Sequence, residues 1–88
     1  MSWRIELKPS AEKQYLKLDP KTRRRIKEAL SALEQEPNPL AAPRVRPLTA
    51  GLKGDFRVRV GAWRVLLTPD RLCELLIVYA IVPRSDAY

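Results

Sequence analysis

The feature that most constrains the fold is a twelve-residue stretch, FRVRVGAWRVLL, at positions 56–67. Apolar and basic residues alternate in FRVRV, which is the period of a β-strand with one buried face. Gly61 and Ala62 are predicted to form a two-residue turn, from which WRVLLT returns as the second strand of a hairpin. A turn of that length fixes the register. The predicted register pairs Val60 with Trp63, Arg59 with Arg64, Val58 with Val65 and Arg57 with Leu66.

One face of this hairpin is therefore apolar, and the other carries Arg57, Arg59 and Arg64. Like charges that are directly opposed destabilise a sheet, typically by about 0.2–1 kcal/mol. Two interpretations are open: a solvated face whose arginine stems cover apolar neighbours, or a face that binds phosphodiester groups through planar guanidinium groups. The segment PRSDAY favours the second, because it adds Arg84 and Tyr88, which could fold over the same face.

The sequence before residue 19 predicts one strand followed by one helix. Residues 3–7 (WRIEL) alternate apolar and charged side chains, as in a short strand with its three apolar residues inward. Pro9 ends that strand, and Ser10 is predicted to cap the first helix. The buried face of this helix is predicted to contain Ala11, Tyr15 and Leu18.

A second helix is predicted from Asp19, a capping carboxylate, and Pro20, a residue suited to the first helical position. It is expected to run to about Glu36 and to bury Ile26, Ala29, Leu30 and Leu33. Five cations crowd its first two turns, where the helix dipole gives them no stabilisation: Lys21, Arg23, Arg24, Arg25 and Lys27. They are either a solvated basic face or a surface that binds an external anion.

Four prolines between residues 37 and 51 predict an irregular loop without helix. The run LCELLIVYAIV, residues 72–82, is apolar on both faces and is predicted to be a central strand with Cys73 buried in it. The expected fold is α+β, with a short N-terminal strand, a two-helix hairpin and a three-stranded antiparallel meander. All of these elements belong to one domain, residues 1–88, with the helices on one face of one sheet.

Composition points to an anionic partner. The chain has 17 Lys and Arg against 10 Asp and Glu, a net charge of +7, and a pI near 10.1. Such a field attracts nucleic acid, anionic lipid or acidic protein. The N-terminal segment MSWRIELKPS has no apolar stretch of the length of a secretion signal, and no apolar run approaches the roughly 18 residues of a membrane span. One cysteine makes no internal disulfide, so a cytoplasmic protein is expected.

RNA cleavage by the neighbouring 2′-hydroxyl needs a base, cations and an acid. The chain has no histidine, and its carboxylates and single cysteine show no metal-ligand spacing, so no metal or other cofactor is expected. The phenol of Tyr88 is then the candidate base, because nearby cations favour its ionised form. The cations would be Arg57, Arg59, Arg64 and Arg84, with Lys53 as the one nearby lysine.

The order of elements, the hairpin FRVRVGAWRVLL and the tail PRSDAY together resemble the RelE/ParE superfamily of toxin–antitoxin systems. The resemblance covers residues 3–88. In its RelE-like branch it implies a ribosome-dependent endoribonuclease that cleaves mRNA without a metal ion. It implies that Arg64 and Arg84 act on the scissile phosphate and that Tyr88 stacks on substrate or takes the 2′-hydroxyl proton.

A supporting set of residues is expected as well. Lys53, Arg57 and Arg59 would bind phosphate or RNA, and a weaker ribosome contact is assigned to Arg23, Arg24, Arg25 and Lys27. Arg57 and Arg59 stand where the RelE pattern has lysines, and arginine, unlike lysine, does not exchange protons in practice. The implied partners are mRNA on the ribosome and an acidic antitoxin, in a higher-order hetero-oligomer.

Two alternatives remain open at this point. A ParE-like chain would inhibit DNA gyrase without catalysing a reaction. A degenerate toxin would only bind its antitoxin or RNA.

Overall fold

A computed structural model describes residues 3–48 and 54–83 of the chain. Its sheet has five strands: β1 (Arg4–Leu7), β2 (Val45–Pro47), β3 (Phe56–Val60), β4 (Trp63–Asp70) and β5 (Leu75–Pro83). The helices are α1 (Pro9–Leu16) and α2 (Pro20–Glu34), and a 3₁₀ turn spans Pro39–Ala41. The strand order is β1-β5-β4-β3-β2, with β1 and β5 parallel and the other pairs antiparallel. The predicted α+β class is confirmed, with one strand more than expected.

The β3–β4 hairpin has the register that the sequence predicts. Val60 pairs with Trp63 and Arg59 with Arg64, and the pairing continues to Phe56 and Leu67. Gly61 opens the turn with a φ of 59°, a backbone conformation that glycine adopts without the steric cost of a side chain. Alternate residues of the two strands therefore divide into a buried apolar row and a row that carries the arginines.

The second helix begins as predicted. Asp19 caps α2 and accepts hydrogen bonds from the Thr22 backbone N–H at 3.1 Å and from the Thr22 hydroxyl at 2.6 Å. Pro20 occupies the first turn, and the helix ends at Glu34, two residues before the predicted end. The predicted apolar stripe of four residues, from Ile26 to Leu33, is fully confirmed as buried.

The start of the first helix differs from the prediction. The helix begins at Pro9, and the preceding Lys8 occupies the cap position without a side-chain hydrogen bond. Ser10 is therefore one residue inside the helix, where its hydroxyl donates to the Tyr79 carbonyl at 3.4 Å. Proline is well suited to the first helical position, so it ends the strand and starts the helix at once.

The proline-rich segment contains more structure than the predicted irregular loop. It holds the 3₁₀ turn and strand β2, which pairs with β3 through Val45–Val58, Arg46–Arg57 and Pro47–Phe56. Proline is tolerated here because β2 is an edge strand. The predicted central strand also begins later, at Leu75, so Cys73 lies exposed in the preceding turn and the prediction of a buried cysteine is wrong.

The core lies between the helices and one face of the sheet. Residues of both helices and of strands β2 to β5 form it, together with Trp3. The buried hydrophobic residues are Trp3, Ala11, Ile26, Ala29, Leu30, Leu33, Val45, Val58, Val60, Val65, Leu67, Leu76, Val78 and Ile81. The arginines of β3 and β4 lie on the opposite face, so the fold separates the packed surface from the charged one.

Candidate functional site

The arginine face comprises Arg57, Arg59 and Arg64 on strands β3 and β4. Arg59 is exposed and Arg57 is half-buried, whereas Arg64 is buried, with 4% of its surface accessible. Arg59 and Arg64 are direct partners in the sheet, as predicted. The face therefore presents its charge to solvent mainly from β3, and the β4 arginine lies below the surface.

A cleft of about 1200 Å³ adjoins this face. It is bounded by α2, the segment 42–46, strand β3 and the β3–β4 turn. Five arginines line it: Arg25, Arg44, Arg46, Arg57 and Arg59. Glu28 and Glu36 are the acidic residues among its described lining, so five positive and two negative side chains leave a net charge of +3.

The five cleft arginines are available to a ligand. Within residues 3–48 and 54–83, none of them makes an ion pair or a side-chain hydrogen bond. Arg46 and Arg57 are direct partners on neighbouring strands, so their like charges repel one another across the sheet. A bound anion would relieve that repulsion, and guanidinium groups bind phosphate and carboxylate in bidentate fashion.

The cleft is also lined by apolar side chains, which include Ala29, Ala32, Leu33, Ala42 and Val60. No aromatic residue is among the described residues that line it. Stacking on aromatic rings is the usual way to hold unpaired bases, and this cleft lacks that surface along its described part. Recognition here is therefore expected to depend on charge and on the guanidinium groups themselves.

A carboxylate lies at the other end of the same face. Asp55 precedes β3, and its Oδ1 accepts a hydrogen bond from the Thr68 hydroxyl at 2.9 Å. Its Oδ2 accepts one from the Tyr79 hydroxyl at 3.0 Å. Burial, together with the hydrogen bond to Asp55 and the negative charge of that residue, raises the pKa of Tyr79 to about 12. The phenol therefore remains a hydrogen-bond donor to a higher pH than an ordinary tyrosine does.

The structure brings together some of the predicted site residues and separates others. Arg57 and Arg59 lie together, and Arg25 joins them across the cleft. Arg23 and Arg24 do not line the cleft, and Lys27 borders a separate depression beside β1. The predicted residues Lys53, Arg84 and Tyr88 lie outside the described residues.

Sequence reasoning did not assign Arg44 and Arg46 to the site. In the sequence they stand only as two further cations of the basic surface, within the proline-rich segment 37–51, whereas in the structure Arg46 is paired with Arg57 in the sheet. The signal was weak because β2 has three residues and ends at Pro47. Of the aromatic residues, Trp3 lies in the core and Trp63 is partly buried against that core. Tyr79 donates a hydrogen bond to Asp55.

In residues 3–48 and 54–83, no three His, Cys, Asp or Glu side chains are grouped so that they could hold a metal ion. In the same part of the chain, no helix has the length and apolar character needed to cross a membrane.

Comparison with solved structures identifies the fold. The RelBE2 toxin–antitoxin complex of Mycobacterium tuberculosis matches with a TM-score of 0.80 and 22% identity, covering 96% of this chain and 100% of that one. The archaeal RelE–RelB complex of Pyrococcus horikoshii matches with a TM-score of 0.77 and 26% identity, covering 99% and 100%. The intact RelBE complex of E. coli matches with a TM-score of 0.72 and 15% identity, covering 92% and 95%.

Comparison with sequences identifies the family. A search of curated protein sequences returned no significant match. The profile of the family described as "ParE toxin of type II toxin-antitoxin system, parDE" matches residues 5–88, which is nearly the whole chain. Together with the fold, this match confirms the predicted superfamily: the chain belongs to the ParE toxin family, within the RelE/ParE superfamily of type II toxin–antitoxin systems.

Proposed function

We propose that this toxin inhibits translation by cleaving mRNA on the ribosome, through attack of a 2′-hydroxyl on the neighbouring phosphate and without a metal ion. The observation that supports it most is the arginine face with its adjoining cleft, five of whose arginines make no ion pair within the described part of the chain. The RNA backbone is the polyanion that suits such a surface. Action on the ribosome also requires a cytoplasmic protein, and that location is part of the proposal.

The proposed roles follow from exposure. Arg57 and Arg59, the more accessible arginines of the face, bind phosphates of the incoming strand. Arg64 is buried, so its charge is less screened by water and acts more strongly on a phosphate that reaches it. Arg64 is therefore assigned to the negative charge that develops at the scissile phosphate.

Three further residues complete the proposed machinery, and all three lie outside the described residues. Arg84 is assigned to the scissile phosphate beside Arg64, and Tyr88 to the 2′-hydroxyl proton or to stacking. Lys53 is assigned to the RNA backbone. The weaker ribosome contacts remain assigned to Arg23, Arg24, Arg25 and Lys27, of which Arg25 also lines the cleft.

The proposed partner in the resting cell is an acidic antitoxin. The structural neighbours in Mycobacterium tuberculosis, Pyrococcus horikoshii and E. coli are complexes with an antitoxin, which supports this assignment. An acidic segment would neutralise the cleft and keep RNA from the arginine face. The resulting complex is proposed to be a higher-order hetero-oligomer.

A second candidate function is inhibition of DNA gyrase without catalysis. The family match favours it, because the matching profile is that of ParE toxins. In that case the arginine face is a docking surface for an acidic patch or for DNA. Its cellular result is DNA damage signalling with intact mRNA.

The deciding experiment is primer extension on an mRNA in 70S ribosomes. Wild type is compared with Arg59→Ala and Arg64→Ala, and with Arg71→Ala as a matched control, since Arg71 is an exposed arginine in the β4–β5 turn. Cuts at the ribosomal A site in wild type and Arg71→Ala that disappear in the other two variants support the nuclease. Growth inhibition should disappear with the cuts, and also in Arg84→Ala.

Absence of cuts from folded, antitoxin-free wild type overturns the nuclease. A gyrase supercoiling assay then separates the remaining alternatives. Inhibition supports the second candidate, and no inhibition leaves a degenerate toxin that binds its antitoxin or RNA.

A further inference from the structure

We propose that Thr68 and Tyr79 hold the Asp55 carboxylate away from Arg57, and so keep the charge of Arg57 available to the phosphates of a bound strand. The two hydroxyl residues are then positioning residues that act through Asp55. The inference rests on the proposed function only in that the arginine face binds a nucleic acid backbone.

The first step of the argument is the position of Asp55 on the sheet. Phe56 pairs with Leu67, so extending the register by one residue places Asp55 opposite Thr68. Side chains alternate between faces along a strand, which puts Asp55 and Arg57 on the same face. Their Cα atoms are then two residues apart, about 6.6 Å at the rise of a strand. A long arginine side chain spans that distance, so an ion pair between these residues is within reach.

The second step is that this ion pair does not form. Within residues 3–48 and 54–83, neither Asp55 nor Arg57 makes an ion pair. Each oxygen of Asp55 instead accepts a hydrogen bond from a neutral hydroxyl, at 2.9 Å from Thr68 and 3.0 Å from Tyr79. Hydrogen bonds to a charged group generally stabilise more than a solvent-exposed ion pair does. The two hydroxyls therefore direct the carboxylate toward β4 and β5.

The third step is a specific irregularity of the sheet. The β4–β5 register shifts between Leu66 and Leu67, which pair with Ala80 and Val78, so that Tyr79 is the extra residue of a β-bulge. A bulge redirects the side chain of its extra residue. Here the phenol of Tyr79 reaches across β4 to Asp55.

The competing explanation is that the same hydrogen bonds only join the three strands. The two explanations differ in what removal of the carboxylate charge should do. If the hydroxyls restrain Asp55, then Asp55→Asn has little effect on phosphate contacts in wild type but restores them when Tyr79 is changed. If the hydrogen bonds only join the strands, Asp55→Asn changes the number of phosphate contacts equally in wild type and in Tyr79→Phe.

The test measures binding of a fluorescent 2′-O-methyl oligouridine by anisotropy, over a series of salt concentrations and without ribosomes. This probe has no free 2′-hydroxyl, so it is not cleaved. The proteins are wild type, Tyr79→Phe, Asp55→Asn and the double variant. Tyr15→Phe is the matched control, because it removes a phenol that donates to the Arg23 carbonyl, at the helices.

Binding to single strands weakens with salt, with a slope of log K against log[salt] of about −0.7 per phosphate contact. Tyr79→Phe is expected to lower the magnitude of that slope by about 0.7, the value for one lost contact. The double variant should regain the wild-type slope, and Tyr15→Phe should keep it. Thr68→Val removes the other donor to Asp55 and should also lower the magnitude of the salt slope. It provides the test if Tyr79→Phe does not fold.

Three results would overturn the inference. The first is a salt slope that is unchanged in folded Tyr79→Phe and Thr68→Val. The second is an effect of Asp55→Asn on that slope that is equal in wild type and in Tyr79→Phe, and the third is no binding of the probe by folded wild type. Failure of the nuclease proposal appears separately, as an absence of ribosomal cuts alongside intact binding and intact rescue by Asp55→Asn.

Discussion

Arg59 and Arg64 face each other directly across the β3–β4 hairpin, yet Arg59 is exposed while Arg64 is buried. The two arginines of the pair therefore differ in their access to solvent and to a ligand. In the proposed function, the exposed member would meet the RNA first, and the buried member would act on the phosphate from a site of lower local dielectric. Neither residue belongs to the hydrophobic core, which lies on the opposite face of the sheet.

This relationship predicts that Arg59 is required for growth inhibition but does not stabilise the fold. Arg59→Ala removes one of two opposed positive charges, so the free energy of unfolding should stay the same or rise by about 0.2–1 kcal/mol. Growth inhibition should nevertheless be lost, because the proposed contact of Arg59 with phosphate is gone. Urea unfolding and growth after induction measure the two effects, with Arg71→Ala expected to change neither. Retained toxicity, or a clear loss of stability, would contradict the prediction.

The raised pKa of Tyr79 predicts a loss of stability at high pH. The pKa is about 12 in the folded protein against an ordinary 10.0, so the folded state holds this proton more tightly than the unfolded chain. The stabilisation from this site is complete below pH 10 and is lost as the pH rises toward 12. The stability advantage of wild type over Tyr79→Phe should therefore shrink between these values in urea unfolding. An advantage that stays constant across this window would show that the phenol is not held protonated by the fold.

The cap of α2 predicts a dependence of the opposite sign. The hydroxyl and backbone N–H of Thr22 donate to Asp19 and lower its pKa below the ordinary 3.8. Stabilisation by the charged cap is therefore complete above pH 3.8 and is lost as the pH falls through the lower, folded value. Asp19→Asn provides a neutral cap for comparison, and the other carboxylates cancel in the difference. The difference in free energy of unfolding between wild type and Asp19→Asn should shift against wild type on acidification, and a constant difference would refute the assignment.

Elements with a strong local pattern could be predicted from the sequence. The register of the β3–β4 hairpin followed from period-two alternation and a two-residue turn, both of which are local. The start of α2 followed from Asp19 and Pro20, and its buried stripe from a 3.6-residue period. In each case a few neighbouring residues determine the structure, and the tertiary contacts agree with them.

Elements that depend on tertiary contacts could not be predicted in this way. Strand β2 has only three residues and forms because β3 offers an edge. The cleft depends on Arg25 and Arg44, which belong to separate elements that the fold places together. The burial of Arg64 is likewise a tertiary property, since the alternation that predicts its face does not predict how deep it lies.

The two leucines Leu67 and Leu72 provide a matched test of the core. Leu67 on β4 is fully buried, whereas Leu72 in the β4–β5 turn is 98% exposed. Leu67→Ala should lower the free energy of unfolding by about 2–5 kcal/mol, because it loses apolar contact and leaves a cavity. Leu72→Ala should change it by less than about 0.5 kcal/mol. For a domain whose total stability is typically about 5–15 kcal/mol, the first variant should show a large fall in urea midpoint. Similar midpoints for the two variants would mean that Leu67 does not pack between the helices and the sheet.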